Sequence, residues 1–526
     1  MQPGAVRLLA NAKRQRKGTL VARLYEPDSI AVSAAHWIDG EIVEAGGASA
    51  TRLEVVRPSD GKVHAQLPLA DADTVDRAVL AARRAAPAWA ALKPRERGRL
   101  LIRFGELVSA HAEEIGRLES VVSSRVQAEA GPIDVGTAAE YLRFYGEYCD
   151  KLEGTITASG REAFSLVARE PHGVVAIITP WNFPVILSTW KVAPALAAGN
   201  TVVLKPSEMT PFSMVRIAQL AIEAGIPAGV FNVVQGDGPV TGKALTTHPD
   251  VDYVTFTGSS QVGGRIMADI GASGIKPVAL ELGGKGAQLV FADCGPLDTV
   301  ADHVTWGVTR NAGQLCYAGS RLVVHEAIAD ELVERVRTRM LALRPGSTWD
   351  DATTLAPIIS RKQVERMTGI VDRARAAGAE CLIGGDAFEQ EGGQFFAPTM
   401  LAGVRPGMEA CDEEIFGPVL TVETFADEEE GIALARAGRY GLSASVFSRD
   451  IERALAASRR LDAGTVWVNR WGRTAEMMTA PFGGFGRSGF GKEAGRQGIE
   501  GFSRQKAIWI DFAKTPDLAH SNDPRA

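Results

Sequence analysis

One cysteine, Cys316, stands among small and polar residues in the stretch G-Q-L-C-Y-A-G-S-R at 313–321. A thiol in such a setting is a candidate nucleophile, because the thiolate is the attacking form. The other common fate of a free cysteine is a small buried apolar residue. Glu281, in L-E-L-G-G-K at 280–285, precedes two glycines that leave room for a water and a substrate. It reads either as a general base or as one half of a salt bridge. Asn182, in T-P-W-N-F-P at 179–184, follows the β-branched run V-V-A-I-I-T. In open parallel sheets ligands sit beyond the carboxyl ends of strands. There an amide can donate to a developing oxyanion, or simply shape a turn beside proline.

Two further segments carry ligand-binding types. Lys205-Pro206-Ser207-Glu208 closes the run T-V-V-L-K. A cation followed by a carboxylate suits a ribose, although a solvated loop leading into a helix explains the same residues. F-T-G-S-S-Q-V-G at 256–263 places glycine just after a β-branched run and at the start of a helical pattern, where backbone N–H groups can approach a phosphate. The spacing is G-x-x-x-x-G and not the dinucleotide fingerprint G-x-G-x-x-G.

These side chains need a scaffold. Short apolar runs predict strands over 174–179, 201–205, 230–234 and 251–257, with a helix over 211–224 between the second and third. Helical periodicity covers 73–130, and a further helix is expected over 136–148. Alternating strands and helices with near-continuous apolar strands indicate a parallel sheet covered on both faces. A second alternation follows: strands over 287–291 and 321–325, helices over 297–310 and 329–343. W-I-D-G-E-I-V-E near residue 40 reads as a hairpin around a D-G turn. The alternating run A-I-W-I-D-F at 507–512 is a strand without an obvious local partner, suited either to another subunit's sheet or to local pairing.

Composition narrows the class. The chain has 526 residues, 57 Lys plus Arg and 63 Asp plus Glu, for a net charge of −6. Mild acidity argues against a nucleic-acid partner and against a polybasic membrane patch. The longest apolar stretch, 174–187, is broken by Pro180, Asn182 and Pro184 and is too short to span a bilayer. Five cysteines lack any C-x-x-C pair, and eight histidines lack metal-site spacing. Reduced thiols, no metal and a cytoplasmic location are therefore expected. The first 25 residues hold six basic and no acidic side chains. They are expected to form a poorly ordered or oligomer-contacting tail rather than a targeting signal.

The motifs T-P-W-N-F-P, A-P-A-L-A-A-G-N-T-V-V-L-K-P-S-E, F-T-G-S, L-E-L-G-G-K, G-Q-L-C, E-E-I-F-G-P-V and P-F-G-G-F-G-R-S-G occur in this order. Together they make the chain resemble the aldehyde dehydrogenase superfamily from about residue 36 to 512. The resemblance implies an α/β fold with two parallel-sheet domains, one Rossmann-like, and a small β oligomerisation flap. Carried over, 1–35 is an N-terminal extension, 36–150 with 171–280 the NAD-binding domain, 281–496 the catalytic domain, and 151–170 with 497–526 the flap.

The resemblance further implies Cys316 as nucleophile, Asn182 with the Cys316 backbone N–H as oxyanion hole, and Glu281 as general base. Lys191 and Glu493 would support proton transfer. Lys205, Ser207 and Glu208 would face the adenine ribose, with Gly258 and Ser259 near the pyrophosphate. Glu414 and Phe416 would lie beside the nicotinamide ribose, and Ile178, Thr179, Pro180, Trp181, Gly238, Phe256 and Leu282 would complete the cofactor site. A carboxylate near the ribose 2′-oxygen favours NAD, with NADP possible. The substrate is a small-molecule aldehyde, oxidised to an acid through a thioester, in a homodimer or homotetramer. Alternatives are a coenzyme A-acylating enzyme, which usually lacks the Glu281 carboxylate, a semialdehyde-specific enzyme, or a catalytically idle structural member. The substrate pocket would involve Phe183, Trp190, Leu315, Tyr317, Glu476 and Phe482. Its aromatics suit a flat or apolar aldehyde, Glu476 an amino-aldehyde, and Arg470 or Arg473 an acidic semialdehyde. Three features depart from the pattern: the N-terminal length, S-S-R-V at 123–126 where many relatives carry T-G-K-P, and the irregular stretch 343–348.

Overall fold

The structure, a computed structural model, describes residues 22–44, 51–159 and 163–512. Most of the basic N-terminal tail and the end of the expected flap lie outside the described residues.

An eight-stranded sheet has at its centre the parallel strands Phe231–Val233, Thr201–Lys205, Val174–Ile178, Tyr253–Thr257 and Val278–Glu281, adjacent in that order. Every residue of Val174–Ile178 and Thr201–Lys205 is buried, as a sheet covered on both faces requires. Val175, Ile177, Val202 and Leu204 pack into one apolar cluster with the helices Pro184–Ala197 and Phe212–Glu223. Val174, Ala176, Ile178 and Val203 pack into another, beneath the helix Ala72–Ala91. The alternation follows from successive side chains pointing to opposite faces. The expected hairpin forms one edge: His36–Ile38 pairs with Glu41–Val43. Asp39 and Gly40 between them have positive φ of 57° and 80°, as a type I′ turn demands.

A second, seven-stranded sheet is built mainly from the later half of the chain. Thr399–Ala402, Val419–Phe425, Arg321–His325, Ala287–Val290, Ser443–Phe447 and Thr465–Val468 run parallel, with Glu380–Ile383 antiparallel at the edge. The chain passes between the two sheets within a few residues, from Val278–Glu281 to Ala287–Val290. One late segment returns to the first sheet: Gly489–Phe490 pairs antiparallel with Leu280 and Glu281. It falls within 281–496, the stretch expected to form the catalytic domain, and its place in the first sheet differs from that expectation.

Of the two readings left open for the terminal strand, Ser503–Asp511, the structure shows local pairing. The strand pairs along its whole length with Ala163–Pro171, which also pairs with Thr155–Thr157. Residues 22–25, expected in the loose tail, are docked. Tyr25 is buried, its hydroxyl lies 2.7 Å from the Ser120 hydroxyl, and its ring meets Trp349 edge-on. Leu24 N–H donates to the Trp349 carbonyl at 2.7 Å. No described helix is long and apolar enough to cross a membrane.

Candidate active site

The Cys316 loop starts where the helix Leu297–Thr309 ends. Asn311, Ala312 and Gly313 are consecutively left-handed, with φ of 50°, 51° and 71°. A Cβ on Gly313 would come within 2.1 Å of the Gly417 carbonyl oxygen, so only glycine fits there. Strain of this kind persists only where surrounding contacts over-determine it. Gln314 supplies those contacts. Its fully buried amide donates to the carbonyls of Asn311 (3.1 Å) and Pro357 (3.2 Å) and accepts from Ile359 N–H (3.0 Å).

Gln314 also joins this loop to the first sheet. Asn182 Nδ2 donates to the Gln314 carbonyl at 3.0 Å, and Asn311 Nδ2 donates to the Asn182 carbonyl at 3.1 Å. The predicted oxyanion donor thus stands at the backbone two residues before the thiol. One N–H of its amide is committed, and Oδ1 is buried without a partner. Glu281 arrives from the end of its strand with both carboxylate oxygens buried and unpartnered. Burial, then the nearby Glu493 charge, push its carboxyl well above the ordinary 4.5, against the pull of Lys191 and Lys492. Behind it lies a buried ion pair of Lys191 Nζ with Glu493 Oε1, and Lys191 also donates to Thr255 Oγ1 at 3.0 Å. Burial raises Glu493 as well.

The Cys316 thiol is pushed far up, first by burial and then by the charges of Glu414 and Glu281. At rest it is therefore a thiol and not a thiolate, and its proton needs an acceptor before it can attack. Glycine makes the crowding around it workable: a Cβ on Gly284 would sit 2.3 Å from the Cys316 carbonyl oxygen.

The residues expected to hold the cofactor lie at the ends of the first sheet's strands and in the loops beside them. Gly258 and the exposed Ser259 open the 14-residue helix Ser260–Ser273, where Ser259 Oγ accepts from Val262 N–H at 3.3 Å. An exposed helix N-terminus is an anion site. Lys205 is buried, donates to the carbonyls of Pro206 (2.8 Å) and Gly236 (2.7 Å), and holds Glu208 at 3.7 Å. No helix starts at Ser207; its Oγ accepts from Met209 N–H within a turn. Glu414 Oε1 accepts from Gly284 N–H at 3.0 Å, and burial raises its carboxyl to about 7. The Trp181 and Phe416 rings meet edge-on at 5.3 Å. Ile178, Thr179, Phe256 and Leu282 are buried, Pro180 is half-buried and Gly238 is exposed.

The predicted substrate residues divide. Trp190, Tyr317 and Phe482 form a continuous aromatic wall, with Phe482 5.4 Å from Trp190 and 6.0 Å from Tyr317; Trp190 and Phe482 are buried in the same core cluster as Leu315, and Tyr317 is half-buried. Leu315 is 1% exposed and belongs to the core. Phe183 is pinned beneath Arg125 at 4.2 Å and Arg310 at 5.6 Å. Glu476 is exposed.

The sequence reading missed what holds the Asn182–Phe183 turn. Arg125 is wholly buried and grips Asp134 at 2.6 and 3.0 Å and Glu129 at 2.6 Å. Glu119 Oε2 accepts from Val185 N–H at 3.0 Å, at the start of the helix Pro184–Ala197. The departure S-S-R-V at 123–126 was the available signal. Gln314 and Asn311 gave none, since their role depends on positive-φ geometry.

The chain matches the model of the aldehyde dehydrogenase family over residues 45–508. It is 39% identical over 486 residues to the NADP/NAD-dependent aldehyde dehydrogenase PuuC of Escherichia coli (strain K12), spanning 92% of this chain and 97% of that protein. A solved indole-3-acetaldehyde dehydrogenase complexed with NAD+ superposes with a TM-score of 0.89 at 39% identity, covering 92% of this chain and 98% of the other. The gamma-glutamyl-gamma-aminobutyraldehyde dehydrogenase of Burkholderia cenocepacia J2315 gives 0.90 at 39% identity, with 94% and 100% covered. The chain belongs to the aldehyde dehydrogenase family.

Proposed function

We propose that this protein oxidises an aldehyde to a carboxylic acid with NAD(P)+, through a covalent adduct on Cys316. The observation that carries the reading is the hydrogen bond from Asn182 to the Gln314 carbonyl, which brings an amide donor to the Cys316 loop. The buried, unpartnered Glu281 carboxylate is electrostatically coupled to the same thiol.

Glu281 accepts the Cys316 proton, directly or through water, and the sulfur adds to the aldehyde carbon. The new alkoxide is stabilised by an Asn182 N–H and the Cys316 backbone N–H; losing one such donor typically costs about 10²–10³ in rate. Bound NAD+ supplies the two-electron oxidation. For it, Lys205 and Glu208 would hold the adenine ribose, the helix opening at Gly258 and Ser259 the pyrophosphate, and Glu414 with Phe416 the nicotinamide end. Lys191 and Glu493 carry the thiol's proton away from Glu281, which as a carboxylate again takes a proton from the water that hydrolyses the thioester; the sulfur leaves as thiolate and regains a proton as the acid departs. Glu281 is also what favours water over coenzyme A as the acyl acceptor. Self-association into a dimer or tetramer is supported by the terminal strand, which leaves Trp509 64% exposed beside exposed Ile508 and Ile510.

Absorbance of reduced nicotinamide with a panel of aldehydes tests the reading. Acid formation without added coenzyme A is expected; no nicotinamide reduction with any aldehyde overturns it.

A further inference from the structure

We propose that Arg473 is a specificity determinant that selects aldehydes carrying a carboxylate at the end remote from the carbonyl. The proposal rests on the aldehyde oxidation at Cys316 argued above and names the substrate class of that site. The thiol's neighbour Tyr317 begins a run of aromatic contacts through Phe482 to Trp190. The Arg473 guanidinium covers the far end of that run, 5.0 Å from the Phe482 ring centre and 5.4 Å from that of Trp190. It also lies beside the Tyr141 hydroxyl.

Three guanidinium groups bear on the Tyr317 hydroxyl: Arg310, Arg473 and Arg125. Two are already matched with carboxylates. Arg125 is bound to Asp134 and Glu129, and Arg310 Nε lies 3.6 Å from Glu129. Arg473 makes no ion pair among the described residues. Its partners are the Met477 carbonyl, which accepts from Nη2 at 2.8 Å, and the Tyr141 hydroxyl beside it. A guanidinium carries five N–H donors in a fixed fork that matches a carboxylate, so donors remain for a ligand. The carboxylate whose charge it influences, Glu493, is held by Lys191.

Arg473 is only half-buried. A ligand can therefore reach it, while the rings on one side reduce the water competing for it. Glu476, three residues along, is exposed and does not pair with it. The cation faces the aromatic wall and the anion faces solvent. That arrangement favours a carboxylate-ended substrate over an ammonium-ended one, with the rings flanking the body of the molecule.

The test compares succinic semialdehyde, butanal and 4-aminobutanal, aldehydes of one chain length with a carboxylate, a methyl and an ammonium end. Wild-type kcat/KM should favour the carboxylate over the methyl end by about 10–100-fold, as expected for a charge-assisted, bidentate contact. Most of the difference should lie in KM, and it should shrink as salt screens the half-exposed charge. In Arg473→Gln the ratio should collapse toward one, and Arg473→Lys should restore part of it. An unchanged ratio in Arg473→Gln, or a wild-type preference for the methyl or ammonium end, overturns the assignment. The salt dependence of wild-type KM decides the matter even if the variants fold poorly. Reduction of the nicotinamide by other aldehydes of the wider panel but not by succinic semialdehyde overturns this assignment alone, whereas no reduction with any aldehyde overturns the oxidation reading itself, and the two failures are thereby told apart.

Discussion

Replacing Glu281 by glutamine removes one charge from the site and nearly nothing from its volume. Both oxygens of the native carboxylate are buried without partners, and the group sits near Glu493, Lys191 and Lys492. General-base catalysis is worth about 10²–10⁴ in rate, which at 1.36 kcal/mol per decade is about 2.7–5.4 kcal/mol of barrier. Glu281→Gln should therefore lower kcat by about 10²–10⁴-fold. Stability should move the other way. A carboxyl raised in the folded state keeps its proton where the unfolded chain has lost it. The stability this represents is fully present below pH 4.5 and disappears as pH rises through the raised folded value. Across that window the slope is about 1.36 kcal/mol per pH unit per group. The variant lacks this group, so its unfolding midpoint should lie close to that of the wild type near pH 4 and above it at neutral pH. The wild-type pH–rate profile should carry a rising limb above the ordinary carboxylate range, shared among Cys316, Glu281 and Glu493 as a coupled set. That limb should change in the variant. Stopped-flow and steady-state nicotinamide absorbance, with urea melts at both pH values, supply the measurements. Wild-type kcat in Glu281→Gln, or equal destabilisation at both pH values, would refute the argument.

Arg125→Met should destabilise the protein by about 3–5 kcal/mol in urea unfolding, since it strands Asp134 as a buried, unmatched carboxylate and leaves Glu129 with Arg310 alone. The loss should shrink as pH falls and those groups take up protons; a pH-independent loss would show that packing on Phe183 dominates. Glu208→Gln should narrow the preference for NAD over NADP, measured as the ratio of kcat/KM, by about tenfold, because the repulsion felt by a 2′-phosphate is gone. An unchanged ratio would place Glu208 away from the ribose.

Much of the architecture was legible because local and global signals agree. Thr201–Lys205 and Arg321–His325 are short β-branched runs, and Gly136–Tyr148 is strongly periodic; each forms at the expected bounds. The chain-end strand was ambiguous because a period-two pattern shows that a strand exists but not what it pairs with. The site was legible as residue types at strand ends, not as geometry. Cys316 stands out by its surroundings, yet its raised thiol follows from burial and from Glu414, 98 residues away in sequence. The left-handed run Asn311–Gly313 left no mark that propensity would reveal. Arg473 was one of several loop charges until its position over Phe482 and Trp190 distinguished it from Glu476.

The central claim is that a single sulfur carries the acyl group. Acid-quenching the enzyme during turnover, digesting it and weighing the peptides tests this most directly. The account predicts the acyl mass on the peptide containing Cys316, and its absence, together with loss of nicotinamide reduction, in Cys316→Ser. An acyl group on Cys149, Cys294, Cys381 or Cys411, or nicotinamide reduction that persists in Cys316→Ser, would contradict it.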